Sequence, residues 1–331
     1  MTQPLVYIVM PVFNREKTLA RSVQSIIAQT YKDWMLMIVD DGSTDNSPEV
    51  IKRLVAEDDR IRSKSNTEYS HSCAGARLAG LIDKTGKYVA FLDSDDTWPE
   101  YHLEEFVEFL ESNIDVDYVF GDIKRVNQWG KTLVGSKFKD ENGIPLELEI
   151  TWDGIWGKIS LNNSTEIAIK SRFNSGMHTA LFKKHFFDKV PLRDVYGCED
   201  ALLTMESLNK GMHIVICNKI HLNYLVHDEN VSSVGTNMSF EHSEKNSLSE
   251  IDFYENLIPL YINLNKCEDN ARMNKLAGLY VWHLAYNTYV NFGKYQEALT
   301  YIGKGIKIRP FNIQYYKTYI STLLKAAYKS L

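Results

Sequence analysis

The chain has 331 residues, 44% of them hydrophobic and 24% charged, with a formal net charge of −6. That length suggests two folded units, and the composition excludes a disordered or fibrous chain. The negative balance does not favour a nucleic-acid partner.

The cysteines Cys73, Cys198, Cys217 and Cys267 lie far apart and form no Cys-x-x-Cys pair. A zinc site or disulfide framework is therefore not expected, and a reducing cytoplasm is the natural compartment. No stretch approaches the roughly 18 successive apolar residues of a membrane span. The apolar run Leu5–Met10 is cut short by Pro11 and does not read as a signal peptide.

In chain order, Leu5–Met10 suits a parallel strand buried on both faces. Asn14 can cap a helix on which Leu19, Val23, Ile26 and Ile27 recur at helical spacing. Met35–Val39 is a second strand, ending at Asp40-Asp41-Gly42-Ser43. Ser47-Pro48 starts a helix, since proline at the first helical position forfeits only an N–H that has no partner there. A helix over Ala74–Lys84, a strand over Tyr88–Leu92, a capping box at Thr97-x-x-Glu100 and a strand over Val116–Phe120 follow. This alternation predicts an α/β fold with a mostly parallel sheet flanked by helices. Ligands of such sheets bind beyond the carboxyl ends of the strands. Here those ends carry Pro11–Glu16, Asp40–Asp45 and Asp93–Asp96, and two of these three segments are carboxylate clusters.

The stretch 121–235 is less regular, with one clear helix over Ala201–Lys210 stopped by Gly211. From about residue 245 the pattern is helical. Trp282, Tyr289, Gly293, Tyr295, Ala298 and Pro310 fit the spacing of one tetratricopeptide-like helix pair, but Ala285, Tyr286 and Ile302 depart from it. A plain helical hairpin fits as well. After Glu297 the chain has no acidic residue and six basic ones, Lys304, Lys307, Arg309, Lys317, Lys325 and Lys329. Ile313, Tyr316, Ile320, Leu323, Leu324 and Ala327 form an apolar stripe among them. Such a helix either packs on its own domain or lies in an anionic membrane surface.

Three carboxylates within Asp93-Ser94-Asp95-Asp96 repel one another unless a cation or solvent compensates. Alternating aspartates at a strand end can direct oxygens at one hard cation, such as Mn²⁺ or Mg²⁺, which also takes diphosphate oxygens. Taken alone, the segment reads as a solvated acidic turn that caps the next helix.

In fixed order, Pro11-Val12-Phe13-Asn14-Arg15-Glu16, Val39-Asp40-Asp41-Gly42-Ser43-Thr44-Asp45 and Phe91-Leu92-Asp93-Ser94-Asp95-Asp96 resemble family 2 of the glycosyltransferases, with its GT-A, Rossmann-like fold. The resemblance covers roughly residues 5–235. Leu78, in Ala76-Arg77-Leu78-Ala79-Gly80, stands where the family usually has asparagine. The resemblance implies a nucleotide-sugar domain over 1–120, an acceptor-binding part over 121–240 and a helical C-terminal region over 241–331. It places Pro11, Phe13, Glu16, Asp41, Arg77, Asp93 and Ser94 around a nucleotide-sugar donor, with Asp41 accepting from uracil. Asp95, Asp93 and His227 would hold a divalent metal, Mn²⁺ or Mg²⁺. In Tyr196-Gly197-Cys198-Glu199-Asp200, Asp200 would be the catalytic base and Glu199 its acceptor-contacting neighbour. Met177 and His178 would also face the acceptor. The expected activity is inverting transfer to a carbohydrate or lipid-linked saccharide in surface-polysaccharide synthesis. The expected location is the cytoplasm or the inner face of the cell membrane.

Three rival classes fit less well. A dinucleotide oxidoreductase needs a Gly-x-Gly-x-x-Gly turn, and the first strand ends in Pro11-Val12-Phe13-Asn14-Arg15-Glu16. A nucleotidyltransferase would want more basic side chains in the first loop than Arg15. A non-catalytic binding module needs neither Asp95 nor Asp200.

Overall fold

The computed structural model describes residues 5–139, 143–171, 173–227, 244, 247–249, 251–253, 255–257, 274 and 276–329. The chain divides into two compact units, Met1–Val195 with Glu199–Ser233, and Tyr196–Cys198 with Val234–Leu331.

The first unit is built on β1 (Val6–Val12), which is buried along its whole length. Its parallel neighbours are β2 (Trp34–Asp40) and β4 (Tyr88–Phe91), and β3 (Ile61–Ser65) extends the sheet beyond β2. Their apolar runs fill a core with α1 (Leu19–Ile27), α2 (Ser47–Glu57) and α4 (His102–Ser112). α3 (Cys73–Leu81) packs on β1 and β2 through Gly80. A Cβ at Gly80 would stand 2.4 Å from Val9 Cγ1, so the helix can lie this close only with glycine there.

Beyond β4 come β9 (Ala180–Lys183), β5 (Tyr118–Val126), β10 (Ile214–Leu225), β8 (Trp156–Ile159) and β7 (Ile150–Asp153), with β6 (Thr132–Val134) paired on β5. β9 runs antiparallel to both β4 and β5. Seven of the ten strands therefore share one direction, β1 to β5, β7 and β10. The sheet is mostly parallel in strand direction, with antiparallel pairings where β9 and β8 enter. α5 (Ser164–Ser171), α6 (Phe186–Lys189) and α7 (Glu199–Asn209) complete the unit, and Gly211 follows α7 at φ +70°.

Two boundary expectations are corrected. Asn14 is no helix cap: α1 starts at Leu19, and Asn14 sits at φ +52° with its Oδ1 accepting from Thr44 N at 2.7 Å. The Thr97-x-x-Glu100 pattern does not open α4, which begins at His102. Thr97 instead bridges to Asn223, and Trp98 Nε1 donates to the His178 carbonyl at 2.8 Å. In both places the local cap signal lost to a contact made across the carboxyl edge of the sheet.

In the second unit, the described residues from 244 to 290 are helical. Leu279–Val290 is wound as a π-helix, and Thr288 Oγ1 reaches back five residues to the His283 carbonyl. Gly293, at φ +70°, turns the chain into α8 (Tyr295–Ile308), and α9 (Ile313–Lys329) follows. Gly305 lets α8 sit close to Val281, where a Cβ would fall 2.5 Å from Cγ1's partner methyl Cγ2. Among the described residues no helix is long and apolar enough to cross a membrane.

Candidate active site

The loops after β1, β2 and β4 meet at one edge of the sheet because these strands are adjacent and parallel. Asn14 N donates to Ser43 Oγ at 3.0 Å and Arg15 N to Ser47 Oγ at 2.7 Å. Glu16 Oε2 accepts from Asn46 N at 3.1 Å and from its Nδ2 at 2.9 Å. Glu16 thus braces the second loop. Pro11 is buried within β1, while the Phe13 ring is half exposed at the rim.

Asp41 is buried, and its Oδ1 accepts from Asn66 Nδ2 at 2.7 Å. The exposed His71 meets the same oxygen at 3.3 Å through Nδ1. Burial raises the Asp41 carboxyl above its usual range, against the pull of these two partners. The sequence pattern alone does not mark Asn66 or His71 as partners of Asp41. The signal available was their proximity in the chain to α3, which folds back beside the β2 end.

The acidic segment after β4 splits into two contacts. Asp95 Oδ2 accepts from Arg15 Nε at 3.1 Å and lies 3.1 Å from His227 Nε2. Burial works against the Asp95 charge, but the His227 hydrogen bond and the Arg15 guanidinium outweigh it, so this carboxyl lies below its usual range. Asp93 lies elsewhere: its Oδ1 pairs with Arg77 at 2.5 Å and its Oδ2 faces His178 Nδ1 at 3.6 Å. Asp96 Oδ1 accepts from Leu225 N at 2.9 Å, which ties the motif to the end of β10. Burial, with the charges of Asp95 and Asp93 nearby, pushes the Asp96 carboxyl well above its usual range. Ser94 is buried between them.

Arg77 is only 3% exposed and grips two carboxylates, Asp93 and Glu199. It reaches inward, so its contact with a nucleotide would have to pass through Asp93. Glu199 and Asp200 open α7, where the helix end favours acidic groups. Glu199 is buried against Arg77, and burial raises its carboxyl despite that charge. Asp200, at the same helix start, is partly exposed. Cys198, immediately before this pair, holds a left-handed φ of +61°. Such backbone is costly for a side chain with a Cβ and gathers at functional sites.

Of the expected acceptor contacts, His178 lines the Asp93 side, with burial holding its imidazole below the usual range. Met177 is corrected: it is fully buried, because Gly176 at φ +62° opens a tight turn that points it into the core.

Residues 7–186 match the family described as glycosyl transferase family 2, which is more than half of the chain. The chain belongs to that family. Two curated family relatives from Escherichia coli are similar to it. WfgD, named a UDP-Glc:alpha-D-GlcNAc-diphosphoundecaprenol beta-1,3-glucosyltransferase, is 38% identical over 123 residues, 37% of this chain and 47% of that one. WfaP, with the same named activity, is 37% identical over 108 residues, 33% of this chain and 42% of that one. The chain thus spans about half the length of the curated relatives it matches or less. The crystal structure of S. aureus TarS 1-349 in complex with UDP-GlcNAc superimposes with a TM-score of 0.59 at 18% identity, covering 98% of this chain and 91% of that one. That likeness establishes the GT-A type of α/β fold.

A divalent metal fits the residues present. Asp93, Asp96 and His178 each offer a ligand atom, all within 4.8 Å of one another. Asp96 Oδ2 and His178 Nε2 are buried without a hydrogen-bond partner among the described residues. Buried polar atoms of that kind call for an ion or water. The two carboxylates suit Mn²⁺ and Mg²⁺, and the imidazole nitrogen is an ordinary ligand of transition metals. The expected metal set of Asp93, Asp95 and His227 is therefore not one cluster: Asp95 is brought to His227, and Asp93 to His178 and Asp96.

Proposed function

We propose that this family 2 chain transfers a sugar, with inversion, from a uridine-linked nucleotide donor to a saccharide hydroxyl on a lipid-linked acceptor. The observation that carries this reading is the joining of donor and acceptor sides through Arg77. One guanidinium fixes Asp93, in the acidic motif after β4, and Glu199, the neighbour of Asp200. The named activity of WfgD and WfaP supports a UDP-sugar and a lipid diphosphate acceptor.

In this reading Asp41, fixed by Asn66, accepts from the base, and the backbone around Pro11 with the half-exposed Phe13 lines the nucleoside pocket. Ser94 and Asp93 sit beside the ribose and diphosphate. Asp93, Asp96 and His178 would hold Mn²⁺ or Mg²⁺, with Asp95, steadied by His227, as a further carboxylate ligand. When bound, that cation neutralises charge developing on the departing diphosphate. Asp200 accepts the proton of the acceptor hydroxyl while that oxygen attacks the anomeric carbon from the face opposite the nucleotide. The C1–O bond to the diphosphate breaks, UDP leaves and the configuration inverts. Arg77 is a positioning residue: it holds both halves of the site without touching the reacting atoms. Residues 1–120 serve the donor, 121–240 the acceptor, and the protein works at the cytoplasmic membrane face, where lipid-linked saccharides are reached.

The direct test is a thermal-shift panel of nucleoside diphosphates and nucleotide sugars, each with and without Mn²⁺. A ligand bound only by the native state raises Tm by mass action. A metal-dependent shift with UDP and one or two UDP-sugars is expected. A shift confined to another nucleotide would retire the uracil assignment to Asp41.

A further inference from the structure

α9 is packed the wrong way round for a helix that serves only its own domain. Its buried residues are Tyr315, Thr318 and Thr322, two of which carry a hydroxyl bonded back to the helix backbone. Its apolar stripe lies on the other side, at about 100° per residue. There Ile313 is 71% exposed, Ile320 57% and Leu324 66%. A helix docked only on its own core buries its apolar stripe and exposes its threonines. Here the order is reversed.

The margin of the stripe carries a lysine and no acidic residue. Lys317 projects from the same side of the helix, and no acidic residue follows Glu297 in a chain whose overall balance is −6. Lys325 and Lys329 turn the other way, over the Tyr286 and Tyr295 rings at 5.4 and 5.6 Å, on the packed side of the helix. Phe311, before the helix, is almost fully exposed. Apolar residues of this size, a tyrosine at each end and a lysine at the margin match the boundary between acyl chains and anionic headgroups. A second copy of the chain would bring lysine against lysine across such a face, since a two-fold interface pairs a patch with itself.

We propose that the outward face of α9 is a membrane-docking surface that lies in the headgroup layer of a bilayer containing anionic phospholipid. Ile313, Ile320, Leu323 and Leu324 enter the acyl boundary, and Lys317 meets the phosphates. This deepens the reading of a lipid-linked acceptor, but its test needs no turnover, so the two can fail separately.

The experiment is co-sedimentation of the full chain with vesicles of phosphatidylcholine alone or with added phosphatidylglycerol, at low and high salt. The wild type is expected on the anionic vesicles only, and less at high salt, where the charges are screened. The double variant I320E/L324E, at exposed positions that leave the helix packing intact, is expected to partition about tenfold less or worse. Lys317→Glu should weaken binding more mildly. Circular dichroism and Tm equal to wild type would show that these variants fold. No partitioning by the wild type, or equal partitioning by I320E/L324E, would overturn the proposal. So would a wild-type dimer in light scattering that becomes monomeric in I320E/L324E without vesicle binding, which would assign the face to a second copy.

Discussion

His227 Nε2 lies 3.1 Å from Asp95 Oδ2, although the two residues are 132 positions apart in the chain. The contact exists because β10 runs parallel to β5 and delivers its carboxyl end to the same sheet edge as β4. Asp96, one residue on, locks that delivery by accepting from Leu225 N. His227→Ala should therefore lower the apparent affinity for Mn²⁺ about 10- to 100-fold, the range seen when a partner of a metal-binding carboxylate is removed. UDP binding titrated against Mn²⁺ checks it, and an unchanged metal dependence would remove His227 from the site.

Arg77 has a structural role as large as any it plays in binding. Replacing it with alanine leaves Asp93 and Glu199 without their shared cation in a buried setting. A loss of about 3–5 kcal/mol is expected for breaking a buried pair of this kind. Urea unfolding measures it. A loss below about 1 kcal/mol would mean that solvent reaches the pair.

Gly80→Ala tests the closeness of α3 to the sheet. With Val9 Cγ1 at 2.4 Å and Val39 Cγ2 at 3.2 Å from the added methyl, the helix must shift. Overpacking of that kind costs about 1–3 kcal/mol. An unchanged urea midpoint would show that α3 can slide without loss.

Acid should destabilise the protein through two buried histidines, His102 and His221, whose Nδ1 atoms meet at 3.1 Å. Burial pushes His221 down to about 3, and burial with the neighbouring imidazole holds His102 well below its usual range. Below pH of about 6.5 the unfolded chain takes up protons that the folded chain cannot. Stability is thus fully present above that value and falls with acidification toward 3. Each histidine contributes a slope of about 1.4 kcal/mol per pH unit. Urea midpoints between pH 7 and 5 give the slope, and His221→Gln should reduce it. An identical slope in that variant would place the acid response elsewhere.

The legible part of the molecule was the part written in consecutive residues. Strand, loop and helix alternate through Leu92, and the acidic loops announce the edge where ligands bind. Contacts made across the sheet were not legible. Asn14 has the chemistry of a helix cap, but a hydrogen bond from Thr44 decides its conformation. His102 and His221 meet only because β10 changes register between Cys217 and Leu222, and a bulge leaves no mark in apolar periodicity. Arg77 looked like a ligand contact because the motif names it, while its partners, Asp93 and Glu199, are 16 and 122 residues away. On α9 the stripe was legible, but its outward direction depends on which side Thr318 and Thr322 pack.

The most direct test of the central claim compares wild type with Asp200→Asn, measuring UDP binding and sugar transfer from UDP-sugar to a lipid-linked saccharide in the same preparations. The expected result is unchanged metal-dependent UDP binding and transfer reduced by about 10³-fold or more, since general-base catalysis contributes on the order of 10²–10⁴. Near-normal transfer by Asp200→Asn, with UDP still bound, would contradict the assignment of the base and the way the site is joined through Arg77 and Glu199.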